Sequence, residues 1–457
     1  MMKYKLYKSI FLLAIAGLFI GCEGTDLNGL DPINSVPGDG AINNLKSATA
    51  AMTGVYDELQ MTTTSHLDAF LDLAQIYSDE ADFTGTFPTR FEFMNLSIQT
   101  ANGTNATVFT EFYDVINTAN NVLEILPTVE DPGLTDAVVN NFLGQSRMAR
   151  ALSYFYLSEY YGDVPLVLTP TREVGEVLNV PNSSKSEIRN QMIDDLKFAE
   201  SNITETNTKR FTSQAASALL ARIYLYMENW GEALAHAEKV LGAGFDLTSV
   251  PYLQDEIMFL GFTTADGNVL NFWYGPSECG GRHDVEPSAK FIGSYEDGDL
   301  RKAMSIVEVG EPMAPCGIAD PATVPFVIKY PTFSAGISGS APDPILLFRH
   351  AEQVLIAAEA AARNGDFAKA NSYYNQVRAR AGLADKTLDA GNYIDLILQE
   401  RLIELSFEGP HRYFDLRRTG KAAQEIPGYQ PCNDIWPIPQ REIDRNPNLQ
   451  QNNCCNC

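Results

Sequence analysis

Basic side chains are scarce in this 457-residue sequence: 33 lysines and arginines stand against 58 aspartates and glutamates, a formal net charge of −25. A chain this acidic repels other polyanions, which excludes nucleic acid and anionic membrane surfaces as partners. Long apolar runs are missing too. The one marked run, residues 10–20, is too short to cross a bilayer as a helix, and no later segment is long enough to span one. Histidine is rare: His66, His236, His283, His350 and His411 are scattered and share no ligand spacing, so no metal centre is expected. No Gly-rich phosphate loop, His-Glu-x-x-His helix or Gly-x-Ser-x-Gly elbow occurs, so catalysis has no local signature and no cofactor is implied. Carboxylates are so numerous that a pair spaced for glycosidase chemistry is always on hand by chance, and acids alone therefore say little.

What the chain does carry begins at its start. Lys3, Lys5 and Lys8 precede the apolar run, and Gly21-Cys22 follows it. This is the layout of a signal peptide over 1–21, with Phe19-Ile20-Gly21-Cys22 as a lipobox and Cys22 as the lipidated first residue of the mature chain. Phe19 stands where Leu is usual, and an ordinary signal peptide with a chance cysteine is the alternative. Residues 22–40, polar and rich in Gly, Asn and Asp, read as a flexible tether. Six cysteines remain, and export permits disulfides; Cys279 and Cys316 are the first pair to test because both sit in one loop-rich region. The tail Cys454-Cys455-Asn456-Cys457 lacks a second pair at zinc-site distance and reads as disulfide-bonded or frayed.

With 45% hydrophobic residues the rest is globular, and its periodicity is helical. Helices are expected over 41–60, 66–78, 108–126 and 134–161, the last apolar nearly all round in its second half. Another spans 184–203, where Ser184 and Glu187 are placed for a capping box. The pair 215–227 and 230–241 superposes at a fixed offset on the pair 346–363 and 367–381: Ala221 on Ala358, Trp230 on Phe367, Ala233 on Ala370, Val240 on Val377. Small residues at the crossing and a large ring opening the second helix are the pattern of tetratricopeptide repeats. Residues 246–344 interrupt the two pairs and are too aromatic for a linker, so they read as an ordered loop-rich insertion. The expected fold is mainly α, with tetratricopeptide-like helical hairpins packed against an irregular, loop-rich ligand-binding subdomain. Residues 41–457 form one domain: helical repeats at 41–245 and 345–420, the insertion 246–344, and an extended C-terminal segment 421–457.

Two stretches are candidates for chemistry. In 399–420, Glu400, Glu404 and Glu408 repeat every four residues, which is unfavourable unless cations answer them; Arg401, Arg412, Arg417 and Arg418 lie nearby, and an ion-paired structural role is expected. Elsewhere, rings stand beside polar groups where the helical pattern lapses: Asp79, Asp82, Phe83, Arg90 and Phe91, then Asn271, Phe272, Trp273 and Tyr274. Sugars offer apolar faces to rings and hydroxyls to Asp, Asn and Arg, so Asp79, Asp82, Phe83, Arg90, Phe91, Asn271, Trp273 and Tyr274 are the candidate ligand-binding residues. Core packing remains the alternative for any one ring.

Several of these features coincide with one family. Cys22, Ile116-Asn117-Thr118-Ala119-Asn120, Arg150-Ala151 with Tyr161-Gly162-Asp163-Val164-Pro165, and Arg349-His350-Ala351-Glu352 occur in that order. They are followed by Glu400-Arg401 through Gly420, Pro437-Ile438-Pro439, Glu442-Ile443, Asn446-Pro447 and Gln451-Asn452. In this set the chain resembles the SusD/RagB family of outer-membrane lipoproteins. The resemblance implies a non-catalytic, surface-exposed lipoprotein, anchored by lipid in the outer membrane, that captures oligosaccharide for a TonB-dependent (SusC-like) transporter. Peptide capture by the same architecture and a secreted helical glycoside hydrolase are the rival functions.

Overall fold

The computed structural model describes residues 38–60, 66–172, 179–244, 247, 256–260, 270–330 and 345–454, with 38–39, 66–70 and 256–260 described by backbone alone. The leader 1–21, Cys22, most of the tether, and Cys455 and Cys457 lie outside the described residues.

Helix α1 (Leu45–Gln60) buries Met52, Val55, Tyr56 and Leu59, and α2 (His66–Ile76) follows. The stretch expected to be irregular holds a short strand β1 (Ala81–Phe83) and α3 (Pro88–Met94). Then come α4 (Gly103–Ile125), with Asn102 capping Asn105 N, and α5 (Asp136–Tyr161), every residue of which is buried from Gly144 onward except Arg147. The strands β2 (Val164–Pro165) and β3 (Asn182–Ser183) pair before α6 (Lys185–Asn202), which has the capping box between Ser184 and Glu187.

The repeat is physical as well as sequential. Helices α7 (Ser213–Tyr226) and α8 (Trp230–Leu241) form one hairpin. The insertion contributes β4 (Glu256–Leu260), α9 (Leu270–Tyr274), β5 (Val285–Pro287), β6 (Ile306–Val307) and β7 (Phe326–Val327). After β8 (Ile345–Arg349), α10 (His350–Arg363) and α11 (Phe367–Arg380) form the second hairpin. Ala221, Ala233, Ala358 and Ala370 are fully buried, which lets the helices approach closely. The correspondence extends to the turns: Asn229 caps Glu232 N and Asp366 caps Lys369 N. The left-handed residue before each cap is Glu228 (φ 58°) in one hairpin and Gly365 (φ 80°) in the other. One expectation needs correcting. Residues 346–349, read as the start of a helix, belong to β8, which pairs antiparallel with β4; Ile-Leu-Leu-Phe is apolar on both faces, and periodicity cannot tell such a run from a buried helix.

Despite the hundred-residue interruption the stack is continuous, because α4 packs on α5, α5 on α6, α6 on α7, α7 on α8, α8 on α10, and α10 on α11. Helices α12 (Tyr393–Glu404) and α13 (His411–Arg418) close it, and a short α14 (Gln440–Arg445) lies in the C-terminal segment.

The glutamate ladder of α12 and the turn after it is ion-paired, but not by its neighbours in sequence. Glu400 bonds Arg301 (2.5 Å) and Arg378 (3.2 Å). Glu404 takes Arg349 (2.9 Å), Arg301 (3.2 Å) and Arg380, while Glu408 takes Arg349 (2.7 Å) and Lys329. The nearby arginines reach elsewhere: Arg401 to Asp415, Arg412 to Asp79, Arg417 to Glu159 of α5, and Arg418 to Glu359 of α10. Burial pushes the Glu404 carboxyl up, but Arg380, Arg349 and Arg301 outweigh it and hold the group well below the usual carboxylate range. Several other residues that carried the resemblance are also braces. Arg150 joins Asn120 to Asp195 (all 2.8 Å), Asn105 Nδ2 donates to Pro437 O, and Asn452 Nδ2 donates to Tyr161 O and Trp436 O.

Candidate functional site

Two segments far apart in sequence meet through β1 and β5, in the antiparallel register Ala81 to Pro287, Asp82 to Glu286 and Phe83 to Val285. Side chains alternate across a strand, so Ala81, Phe83, Val285 and Pro287 turn into the core and Asp82 and Glu286 turn outward together. The register continues through the loops: Thr84 N donates to Asp284 O (2.8 Å), Asp284 N to Trp273 O (2.8 Å) and Arg282 N to Phe272 O (2.6 Å). The turn between Tyr274 and Arg282 closes so tightly that a Cβ on Gly281 would meet Gly275 O at 2.0 Å.

These bonds assemble an aromatic surface. The Trp273 ring has the Arg90 guanidinium 4.9 Å from its centroid, the Phe87 ring edge-on at 6.1 Å, and Phe272 edge-on at 5.3 Å. Arg282 lies over Phe87 (4.4 Å) and reaches Trp273 (5.8 Å). Phe87 is exposed and Trp273 partly so, and the Trp273 indole N–H has no acceptor among the described residues. Arg90 is held from beneath by the fully buried Asp72 (2.5 Å), whose carboxyl burial pushes up to about 6 against the pull of Arg90. Arg282 pairs through Nε with Asp284 (2.9 Å) and donates from Nη2 to Thr86 Oγ1 (3.4 Å), and its Nη1 has no partner among the described residues. At the rim, partial burial raises both Asp82 and Glu286; His283, 3.5 Å from Glu286, draws Glu286 back down while Asp82 pushes it further up. His283 is left-handed (φ 56°), held by Thr84 Oγ1 on its carbonyl and by its own Nε2 on Pro325 O (2.9 Å).

Of the residues singled out in the sequence, the structure brings Arg90 and Trp273 together, with Arg90 itself buried, Phe91 half-buried against Phe83 (5.0 Å), and Asp82 exposed on the outer face of β1. The rest turn inward. Asp79 is buried in a bidentate pair with Arg412 (2.7 Å) and a single contact with Lys290 Nζ (2.7 Å), which overcome burial and lower its carboxyl. Phe83 faces the core because β1 alternates. In the five-residue α9, Leu270, Asn271 and Tyr274 share the inner side, and Tyr274 donates to Gln75 Oε1 (2.8 Å). Phe87, Arg282, Thr86 and Glu286 were missed. Phe87 stood in a ring-rich stretch and Arg282 followed Gly280-Gly281, but nothing in either segment announced that the other would lie beside it. Cys279 is bonded to Cys316, and Cys432 and Cys454 are disulfide-bonded as well.

A separate cavity of about 480 Å³ lies between α4, the loop after β2 and α14. Its walls are mainly apolar, including Phe109, Tyr113, Val167 and Leu449, and its asparagines are committed: Asn117 accepts from Thr171 N and Asn446 donates to Val180 O. No candidate residue lines it. Among the described residues no group of three or more His, Cys, Asp or Glu is placed to hold a metal ion, and no helix is long and apolar enough to cross a membrane.

The chain matches two family models: the SusD family over residues 321–434, and one described as starch-binding associating with outer membrane over residues 43–225. SusD-like protein P2 of Formosa agariphila is 26% identical, covering 99% of each chain, and SusD-like protein P38 of the same organism is 24% identical with the same coverage. Among solved structures, a laminarin-binding SusD-like protein is similar at a TM-score of 0.75 and 25% identity, covering 90% of this chain and 99% of that one. A SusD superfamily protein of Bacteroides vulgatus has a TM-score of 0.76 at 21% identity, covering 89% and 98%.

Proposed function

We propose that this chain, which belongs to the SusD/RagB family, is a non-catalytic surface lipoprotein that captures oligosaccharide or polysaccharide and passes it to a partner TonB-dependent outer-membrane transporter. The observation that carries the reading is the shallow surface of Phe87 and Trp273. Apolar ring area lies beside donors on Arg282 and Thr86, and the same two segments lead into the outward-facing acceptors Asp82 and Glu286 of β1 and β5, as the C–H faces and hydroxyls of a sugar require. The laminarin-binding relative supports a glycan ligand, and the starch-binding description of one family model supports both the glycan and the outer membrane. The lipobox supports the anchor: seven cysteines is an odd number, which leaves at least one outside any internal disulfide, and we assign that place to Cys22. Residues 41–457 act as one domain in this reading, supported by the packing of α8 on α10 across the insertion.

Calorimetry against a polysaccharide panel tests the ligand. Binding should appear with at least one glycan, and Phe87→Ala and Trp273→Ala should each weaken it by about 1–3 kcal/mol, the range of a buried aromatic anchor. Binding of peptides and no glycan would replace this reading with peptide capture. Cys22→Ser should move the protein from the outer-membrane fraction to the soluble one, and a tagged chain should retain a TonB-dependent transporter from solubilised outer membrane. One observation favours a second reading: Asp82 and Glu286 are partners across β1 and β5 with raised carboxyls, as a glycosidase pair could be. Release of reducing sugar, abolished by Glu286→Gln, would establish hydrolysis instead.

A further inference from the structure

We infer that this surface selects uncharged glycans and turns away chains bearing uronates or sulfates, with Asp82 and Glu286 as the residues that decide it. The inference rests on the glycan-binding reading above and adds the class of glycan.

The charge arithmetic of the surface is local and one-sided. Arg90 is matched by Asp72 beneath the rings, and Arg282 is matched by Asp284 beside them. Neither leaves a free positive charge for a ligand carboxylate or sulfate. Asp82 and Glu286 are direct partners across β1 and β5, their inward neighbours Phe83 and Val285 are buried, and both acids therefore leave the same outer face. Asp82 has no ion-pair partner among the described residues, and the sole ion-pair partner of Glu286 there is His283 at 3.5 Å. Like charges set opposite one another weaken an antiparallel pair, so this arrangement does not exist for the stability of the sheet. Towards a neutral sugar it is an asset, since carboxylates accept strongly from hydroxyls. Towards an anionic sugar it is a repulsive rim whose one ion-pair partner among the described residues is His283, the element that separates partners when attraction alone would not. The chain's net charge of −25 acts in the same direction at longer range.

Calorimetry on the purified full chain is the test, with soluble starch and laminarin as neutral probes, their carboxymethylated forms as matched anions, and alginate as a natural polyuronate. A neutral polymer should bind at least about tenfold more tightly than its carboxymethylated form at low salt. The gap should narrow as salt is added, because the Debye length shortens to about 10 Å at 0.1 M. The double substitution Asp82→Asn with Glu286→Gln should close most of the gap. A control with the same change in net charge, Glu232→Gln with Asp385→Asn on α8 and in the loop after α11, should leave it open. Tighter or equal binding of an anionic probe would overturn the inference while leaving the glycan reading intact. An equal effect of the two double variants would overturn it too, by assigning the selection to total charge. Binding of no polysaccharide of either kind would remove the glycan reading and the inference with it.

Discussion

Glu404→Gln isolates what the glutamate ladder does. The Glu404 side chain is fully buried and receives Arg301, Arg349 and Arg380, each of which is itself almost entirely buried. The substitution keeps the shape and one acceptor oxygen, but it puts an amide donor against guanidinium donors and leaves three buried cations short of one charge. Removing one partner from a buried ion pair costs about 3–5 kcal/mol, a large part of the 5–15 kcal/mol that holds a typical domain together. Urea unfolding followed by circular dichroism should show the midpoint falling with the slope unchanged. Acid sensitivity gives a second readout. The folded carboxyl lies below its ordinary 4.5, so its contribution is present above that value and is lost as pH falls through the lower folded pKa. The variant should lack this acid-induced loss. Glycan affinity should not change, because no ladder residue reaches the ring surface. A stability loss below about 1 kcal/mol, or a folded variant that no longer binds, would refute the reasoning.

Burial pushes Glu80 up to about 8 although Phe407 N donates to it, so its contribution to stability is full below about 4.5 and is lost as pH rises through 8. Glu80→Gln should flatten the stability profile between pH 6 and 8, above the range where Asp72 titrates; an unchanged slope would count against a protonated Glu80. Tyr274→Phe should lose about 1 kcal/mol with the Gln75 hydrogen bond and keep full glycan affinity. If affinity drops instead, the inward placement of Tyr274 is mistaken. Gly281→Ala forces the turn off Gly275 O, and about 1–3 kcal/mol of stability should go together with glycan affinity, since the same turn sets Arg282 over Phe87. Intact binding in that variant would show that the ring surface does not depend on the turn.

The scaffold was legible in the sequence because its signals are local. The capping box of Ser184 and Glu187 needs only neighbours a few residues away, and the offset from Ala221 to Ala358 needs only one local helix-pair pattern to occur twice; both features are present in the folded helices. Partner choice in the ladder was not legible: Glu404 is answered by Arg301, Arg349 and Arg380, and which cations arrive depends on how the insertion and α11 fold back. The candidate site was half legible for a related reason. Two ring-bearing segments could be found, but which rings face out depends on the β1–β5 register and on the inner side of α9, and neither is written in one segment alone. The residues that carry the family resemblance, such as Arg150, Asn120 and Asn452, hold the frame together and say nothing about the ligand.

The continuity of the helical stack across the insertion also sets a waiting time. The buried face of α8, with Ala233, Ala237 and Val240, rests in part on α10, which follows about a hundred residues later. While those residues are still emerging, N-terminus first, the cover of α8 does not yet exist. Through that interval, a half-finished array ends in an apolar helix face without its cover. The acidic character of the chain then has a use before any ligand is met: mutual repulsion keeps two such half-built copies from covering each other.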